Sequence, residues 1–304
     1  MRTRLNLALM LAASVVALSA RQDAGAATLL AEAREALGGD ALLAAITTFT
    51  VTGSFNRLGK AEGTFDYSCA LPDRFLRESR QSFARGPIGS SLVTRYEGFN
   101  GDEPIMSTVA PDMPAPPIAT PPPTTPAEIA AARLRQVHAN KRIFVELVLP
   151  LVATSFAGYP LTFSSAGQIP TPHGPADVVE VTGPDADVWR LWLDAKTHLP
   201  VVMTWMAKPI VTIGVTSTIA VNGRGQVVSP PAGAPVVPGD PTAGLANVEW
   251  RLEISDYRAA DGLHWPHRFT SSYPGMTWED VRLNTFKINV TIDPKTFTPT
   301  KTPR

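Results

Sequence analysis

The sequence predicts an α+β fold in which a strongly curved antiparallel sheet of about ten to eleven strands carries helices on its concave side. Most of the 304 residues fall into short runs in which apolar and polar residues alternate, as they do in half-buried strands. A single long segment near the middle of the chain has helical periodicity, and a short helical pair precedes the first strand. The apolar stripe of the long helix needs an apolar partner, which the concave face of the sheet would supply.

The N-terminal segment has the organisation of a cleavable secretion signal. Two arginines precede an apolar run over residues 5–18, and small residues follow. Cleavage is expected after Ser19 or after Ala26, because each ends a small-x-small triplet, so residues 1–26 are assigned to the signal. The apolar run is shorter than the roughly 20 residues that a membrane-spanning helix needs, and no cysteine at the boundary can accept a lipid. We therefore expect a periplasmic protein without a membrane anchor.

The charge and the cysteine content exclude several classes of protein. The chain has 27 basic and 27 acidic residues, and loss of the two signal arginines would leave the acidic residues in slight excess. This balance gives no electrostatic reason to bind nucleic acid. Cys69 is the only cysteine, and its place in an apolar alternation predicts a buried, inert thiol. We expect residues 27–304 to form one monomeric domain.

The first half of the chain predicts two short helices followed by strands. Gly38-Gly39 ends the first helix, which starts at Ala27, and Asp40 caps the second. Apolar residues then recur at every second position, as they do in strands. The predicted strands cover residues 49–55, 65–71, 73–81 and 91–99. An insert at 104–126 contains nine prolines. Since proline lacks the amide donor of a ladder, the insert predicts an extended surface linker.

The long central helix begins with a capping box. Thr125 is followed by Pro126 at the first helical position and by Glu128 three residues after the cap. The helix is expected to end at about Leu149, and Lys141 interrupts its apolar stripe. We interpret this helix as a lid over a cavity, with the lysine at the cavity mouth.

The second half resumes the strand pattern. Strands are predicted over 160–169, 176–182, 187–194, 199–206 and 209–222. A Pro/Gly-rich loop at 223–246 separates them from three final strands, which begin at Val248, Leu263 and Trp278, the last ending at Ile292.

Several stretches resemble the outer-membrane lipoprotein-sorting (LolA/LolB-like) superfamily of periplasmic carriers. The matching stretches cover most of the mature chain in order: 32–39, 49–55, 188–200, 254–266 and 286–293. The resemblance implies an unclosed β-barrel with a helical lid, an apolar cavity that holds lipid or lipoprotein acyl chains, and no catalytic residues or cofactor. Envelope proteins are further possible partners. The Pro-rich insert and the missing anchor cysteine depart from the family pattern, which indicates a distant member.

Residues expected to line the cavity are apolar and occupy the inward-facing positions of strands or the stripe of the central helix. They are Phe55, Phe65, Tyr67, Leu134, Val137, Phe144, Trp189, Leu191, Met203, Trp205, Trp250 and Trp265. The same pattern is also typical of ordinary core filling, so a filled interior remains an alternative.

Signals for catalysis or metal binding are missing. His264 and His267 are three apart on a predicted strand, so they point to opposite faces and do not form a metal pair. The chain lacks the GxSxG, Walker and Rossmann patterns. A non-catalytic carrier or chaperone is thus the preferred function, and a secreted hydrolase or a structural envelope-interaction module is the alternative.

Overall fold

The computed structural model describes residues 23–59, 61–84, 90–110, 125–210, 220–221, 227–228 and 245–298. Most of the predicted signal and most of both Pro-rich segments lie outside these residues.

Twelve strands form one antiparallel sheet. They are β1 Thr48–Arg57, β2 Ala61–Ala70, β3 Arg74–Ala84, β4 Ser90–Asn100, β5 Glu103–Val109, β6 Thr162–Thr171, β7 Gly174–Thr182, β8 Val188–Asp194, β9 Pro200–Ala207, β12 Val248–Ala260, β13 Leu263–Tyr273 and β14 Met276–Ile288; two short strands, β10 Ala220–Val221 and β11 Val227–Val228, pair separately. The order is β5-β4-β3-β2-β1-β14-β13-β12-β9-β8-β7-β6, so β5 and β6 are the edges and the sheet is open among the residues that the structure describes. This confirms the predicted fold class.

The Pro-rich insert begins with a strand, which corrects the prediction of a linker from residue 104. Strand β5 pairs with β4, and Pro104 lies opposite Phe99. The strand tolerates proline because it is at the edge of the sheet, where one side of its backbone has no ladder partner. Residues 111–124 of the insert lie outside the described part.

Two further boundaries differ from the prediction. A strand was predicted over 209–222. Its described residues Ala220–Val221 belong to the small β10–β11 pair and not to the main sheet. The last strand ends at Ile288 and is followed by a short 3-10 helix, Pro294–Phe297. That helix covers the outer face of the sheet, where Phe297 packs with Ala70, Leu76 and Ile105.

The N-terminal helices α1 (Ala24–Ala36) and α2 (Asp40–Ala44) lie close to their predicted positions. The side chain of Asp23 caps α1 through Gly25 N at 3.2 Å and also accepts from Ser165 N at 3.1 Å, which ties the helix to β6. Gly38 ends the helix with φ of 130°, and a Cβ there would lie 2.6 Å from the carbonyl oxygen of Gly262. The helix terminus thus docks closely on the β12–β13 turn.

The central helix α3 (Pro126–Val152) has the predicted capping box, and its C-terminal half packs on the sheet. Phe144 is fully buried, with ring centroids 5.7 Å from Phe75, 5.5 Å from Phe99 and 4.9 Å from Phe156. Helix α3 ends three residues later than predicted, at Val152, because Ala153 adopts the left-handed conformation.

Candidate functional site

A cavity of about 500 Å³ lies between α3 and the face of the sheet that α3 covers. Its volume is within the range of about 300–1,000 Å³ that is usual for small-molecule sites. The lining side chains come from α3 and from strands β2, β3, β9, β12, β13 and β14, with two residues from the segment after β9. They are Tyr67, Arg77, Ala139, Arg142, Ile143, Glu146, Leu147, Trp205, Ala207, Lys208, Ile210, Trp250, Leu252, Phe269, Ser271, Trp278, Glu279 and Val281.

The structure brings three of the sequence-predicted residues to this cavity, namely Tyr67, Trp205 and Trp250. Others are buried in the core without lining it: Phe55, Phe65, Val137, Phe144, Trp189, Leu191, Met203 and Trp265. Leu134 is 56% exposed on the N-terminal half of α3. Alternation identifies the inner face of the sheet, but the position of the helix decides which part of that face is filled and which stays open.

Lys141 is not at the mouth of the cavity, and that expectation was wrong. Its side chain is buried, with Nζ 3.0 Å from Oδ1 of Asp102 in the β4–β5 turn and 5.7 Å from the Phe99 ring centroid. Asp102 is almost fully exposed, and the hydrogen bond from Lys141 lowers its pKa. The lysine stem packs on the core while its ammonium group meets a solvated carboxylate.

Aromatic rings form one wall of the cavity. Trp205 on β9 and Trp250 on β12 are opposite each other in register, and their rings stack with centroids 6.2 Å apart and an interplanar angle of 11°. The ring of Tyr273 lies 4.8 Å from Trp250, whose Nε1 donates to the carbonyl oxygen of Lys208 at 3.2 Å. With its indole N–H satisfied, Trp250 presents apolar surface that is fixed in place.

The opposite end of the cavity contains an ion-paired network. Glu279 accepts from Nε of Arg57 at 2.7 Å and lies 3.5 Å from Nη2 of Arg77. Burial is the main cause that raises the pKa of the neighbouring Tyr67 hydroxyl, which therefore stays neutral. Glu279 therefore pairs with two guanidinium groups, and Glu97 also interacts electrostatically with Arg77, so the charges at this end of the cavity are matched.

Arg142 and Glu146 bring charge to the helix side of the cavity, one helical turn apart on α3. Arg142 Nη1 lies 3.2 Å from Oδ1 of Asp187, and Nη2 lies 3.9 Å from Oε1 of Glu146. The pKa of Glu146 is raised to about 7, mainly by burial; Arg142 and the hydrogen-bonding indole of Trp189 lower it, and Asp187 raises it. The Glu146 carboxyl therefore titrates near neutral pH.

Sequence reasoning missed these charged residues. Arg142 and Glu146 follow Lys141 on the same helix, and their i,i+4 spacing is typical of a solvated helix face. Only the placement of α3 across the sheet turns that face toward a cavity. The one signal in the sequence was that these two residues lie beside the apolar stripe of the helix, where its polar face begins.

A second cavity of about 500 Å³ adjoins the first and shares Arg142 and Trp205 with it. Its other lining includes Asp187, Arg190 and Glu249, so this neighbour is more polar.

The described residues give no metal site, since no cluster of three His, Cys, Asp or Glu side chains occurs among them. His264 and His267 each place Nδ1 2.8 Å from a backbone carbonyl oxygen, that of Ala36 and that of Leu283. Cys69 is fully buried, and burial raises the pKa of its thiol well above the ordinary value. The backbone contacts of the two histidines and the burial of the cysteine agree with structural roles for these residues.

No family model matches the chain, and no curated protein matches it, but several solved structures are similar to it. A DUF1329 family protein from Desulfovibrio piger is 10% identical, with a TM-score of 0.43 over 90% of this chain and 97% of that one. A LolA superfamily protein from Nitrosomonas europaea is 11% identical, with a TM-score of 0.38 over 90% and 97%. A MucA/MucB complex structure from Pseudomonas aeruginosa contains a chain that is 15% identical, with a TM-score of 0.20 over 88% and 100%.

Among the helices that the structure describes, none is both long and apolar enough to cross a membrane. Fold and cavity together define a class: an open antiparallel half-barrel with a long helix packed over a partly apolar cavity that opens to solvent.

Proposed function

We propose that this protein is a non-catalytic periplasmic binding protein that shelters the acyl chain of a lipid or lipoprotein in the cavity under α3. The observation that supports the proposal is the preformed wall of Trp205, Trp250, Leu252, Phe269 and Val281, faced by Ile143 and Leu147 from the helix. An apolar surface of this kind binds hydrocarbon with little reorganisation.

The energetics favour a chain over a compact polar ligand. Each methylene group transferred from water to an apolar site contributes about 0.8 kcal/mol, so an alkyl chain of medium length gains several kcal/mol. Arg77 and Glu279 at the far end already satisfy each other, and Arg142 is paired with Asp187. The apolar wall is therefore the main source of affinity. The predicted secretion signal would bring the protein to the compartment where such chains need shelter.

A cavity-filling variant tests the proposal. Ala139 is an exposed residue of α3 that lines the cavity, whereas Ala131 is an exposed alanine of the same helix that does not. We expect Ala139→Phe to weaken the binding of dodecanol at least tenfold in isothermal titration calorimetry, because the new ring occupies the volume of several methylene groups. Ala131→Phe is the matched control and should bind like the wild type.

Two results would contradict the proposal. Dodecanol could fail to bind the wild-type protein at concentrations below its solubility limit, or both phenylalanine variants could bind it with unchanged affinity. Circular dichroism of each variant establishes that the fold is retained.

A further inference from the structure

The hydroxyl of Tyr67 is a polar group of the cavity that acyl-chain binding does not use. Tyr67 lies on β2, is 6% exposed and lines the cavity, so the small surface that it keeps is turned toward the cavity. Its ring stacks on Phe65, with centroids 4.4 Å apart, and lies 5.9 Å from the Phe75 ring. Packing against the core therefore fixes the position of the hydroxyl.

The Tyr67 hydroxyl has no hydrogen-bond partner among the residues that the structure describes. A buried hydroxyl usually has one, because a polar group that leaves water without a partner costs stability. Burial raises the pKa of Tyr67, so the hydroxyl keeps its proton and can donate it. A ligand oxygen in the cavity would supply the missing acceptor.

Arg77 has a second donor without an acceptor next to Tyr67. The two residues are opposite each other in the register of β2 and β3, and Cζ of Arg77 lies 5.8 Å from the Tyr67 ring centroid. Nε of Arg77 is buried and finds no hydrogen-bond partner within the described part of the chain. Because this Nε can only donate, the two groups together favour a ligand atom that accepts hydrogen bonds.

The charges at this end of the cavity favour a neutral acceptor over an anion. Glu279 pairs with both Arg57 and Arg77, and Glu97 interacts electrostatically with Arg77. Since these guanidinium groups already have acidic partners, the desolvation of an added anion would not be offset here. A carbonyl oxygen carries no net charge and has two lone pairs, so it can accept from one donor or from both.

Apolar side chains connect this polar end with the tryptophan wall. Strands β1, β14 and β13 separate β2 from β12 in the sheet. Val281 on β14, Phe269 on β13 and Leu252 on β12 all line the cavity. A single chain that lies across these strands can contact all three side chains while the group at its end reaches Tyr67.

We propose that Tyr67 binds the carbonyl oxygen of the ester or amide that joins an acyl chain to its head group, with the hydroxyl as donor and Nε of Arg77 beside it as a second donor. This inference rests on the proposed acyl-chain function and narrows its ligand class to acyl esters and amides. An alkyl ether of the same length keeps the apolar contacts and lacks the carbonyl oxygen.

The test compares two neutral probes that differ at one position. In methyl decanoate, the carbonyl group replaces one methylene group of decyl methyl ether. We expect Tyr67→Phe to weaken the binding of the ester about fivefold in isothermal titration calorimetry, because one hydrogen bond is lost, and to leave the affinity for the ether within about twofold. Tyr96→Phe, at a partly buried tyrosine outside the cavity lining, is the matched control and should bind both probes like the wild type.

Two further measurements report on the hydroxyl itself. In infrared spectra of isotope-labelled methyl decanoate, the carbonyl band of the bound ester should lie at lower frequency in the wild type than in Tyr67→Phe, since the hydrogen bond weakens the carbonyl bond. Without ligand, Tyr67→Phe should be at least as stable as the wild type in urea unfolding, because the hydroxyl has no bond within the described residues to lose.

The outcomes separate this subsite from the acyl-chain function. If neither probe binds the wild type, the acyl-chain function fails. If both probes bind but Tyr67→Phe weakens both alike or neither, if the carbonyl band does not move, or if Tyr67→Phe alone destabilises the free protein, the carbonyl subsite is overturned and the acyl-chain function stands. Between methyl decanoate and N-methyl decanamide, the probe that loses more affinity on Tyr67→Phe identifies the ester or the amide as the preferred group.

Discussion

Replacing Glu146 with glutamine should change the pH dependence of stability. The folded protein holds the proton of Glu146 more tightly than the unfolded chain, because burial raises the pKa from 4.5 to about 7. A group with a raised pKa gives a stability contribution that is complete below the unfolded pKa and is lost as the pH rises through the folded pKa. The wild type should therefore lose stability between about pH 4.5 and pH 7.

The shift from 4.5 to about 7 corresponds to about 3 kcal/mol at 1.36 kcal/mol per pH unit. The Glu146 side chain is 23% exposed, so solvent reduces this figure to about 2 kcal/mol. In urea unfolding, Glu146→Gln should gain about 2 kcal/mol relative to the wild type between pH 4.5 and pH 8. Glu253→Gln, at an exposed glutamate outside the cavity lining, is the control and should show no such gain. Parallel pH profiles for the wild type and Glu146→Gln would refute the reasoning.

Three further predictions concern the fold and the mature N-terminus. Phe144→Ala should cost about 3–5 kcal/mol in urea unfolding, because its ring is fully buried among aromatic rings; a loss below about 1 kcal/mol would show that this contact is dispensable. Asp102→Asn should cost about 1 kcal/mol, since it leaves the buried Lys141 ammonium without a counter-charge, and an unchanged unfolding midpoint would contradict this pairing. N-terminal sequencing of exported protein should show cleavage after Ser19, because cleavage after the buried Ala26 would remove the first turn of α1; a product that starts at Ala27 would disprove this choice.

The fold was accessible from the sequence because its signals are local. The alternation of Val248, Trp250 and Leu252 is that of the observed strand β12, and the Thr125 capping box fixes the start of α3 where it was predicted. Strand β5 was missed because Pro104 argues against a ladder, and only the topology reveals that this strand is an edge. Local pattern thus identifies elements, while edge position depends on long-range pairing.

The site was less accessible for a related reason. An inward-facing residue such as Phe65 fills the core, whereas Tyr67, two residues later on the same face of β2, reaches the cavity. The difference depends on where α3 crosses the sheet, which no local pattern specifies. Glu146 has an unusual pKa because of burial and of Asp187, more than forty residues away in the chain. Such an environment exists only after folding.

Quenching of tryptophan fluorescence by a brominated acyl chain tests the central claim most directly, because bromine quenches indoles that it contacts. Three of the six tryptophans line the cavity: Trp205, Trp250 and Trp278. We predict saturable quenching at one equivalent of a dodecyl chain brominated near its methyl end, with loss of the effect in Ala139→Phe. Trp250→Phe should reduce the quenched amplitude, whereas Trp265→Phe, at a buried tryptophan outside the lining, should retain it. Quenching that does not saturate, or that persists unchanged in Ala139→Phe, would contradict an acyl chain in this cavity.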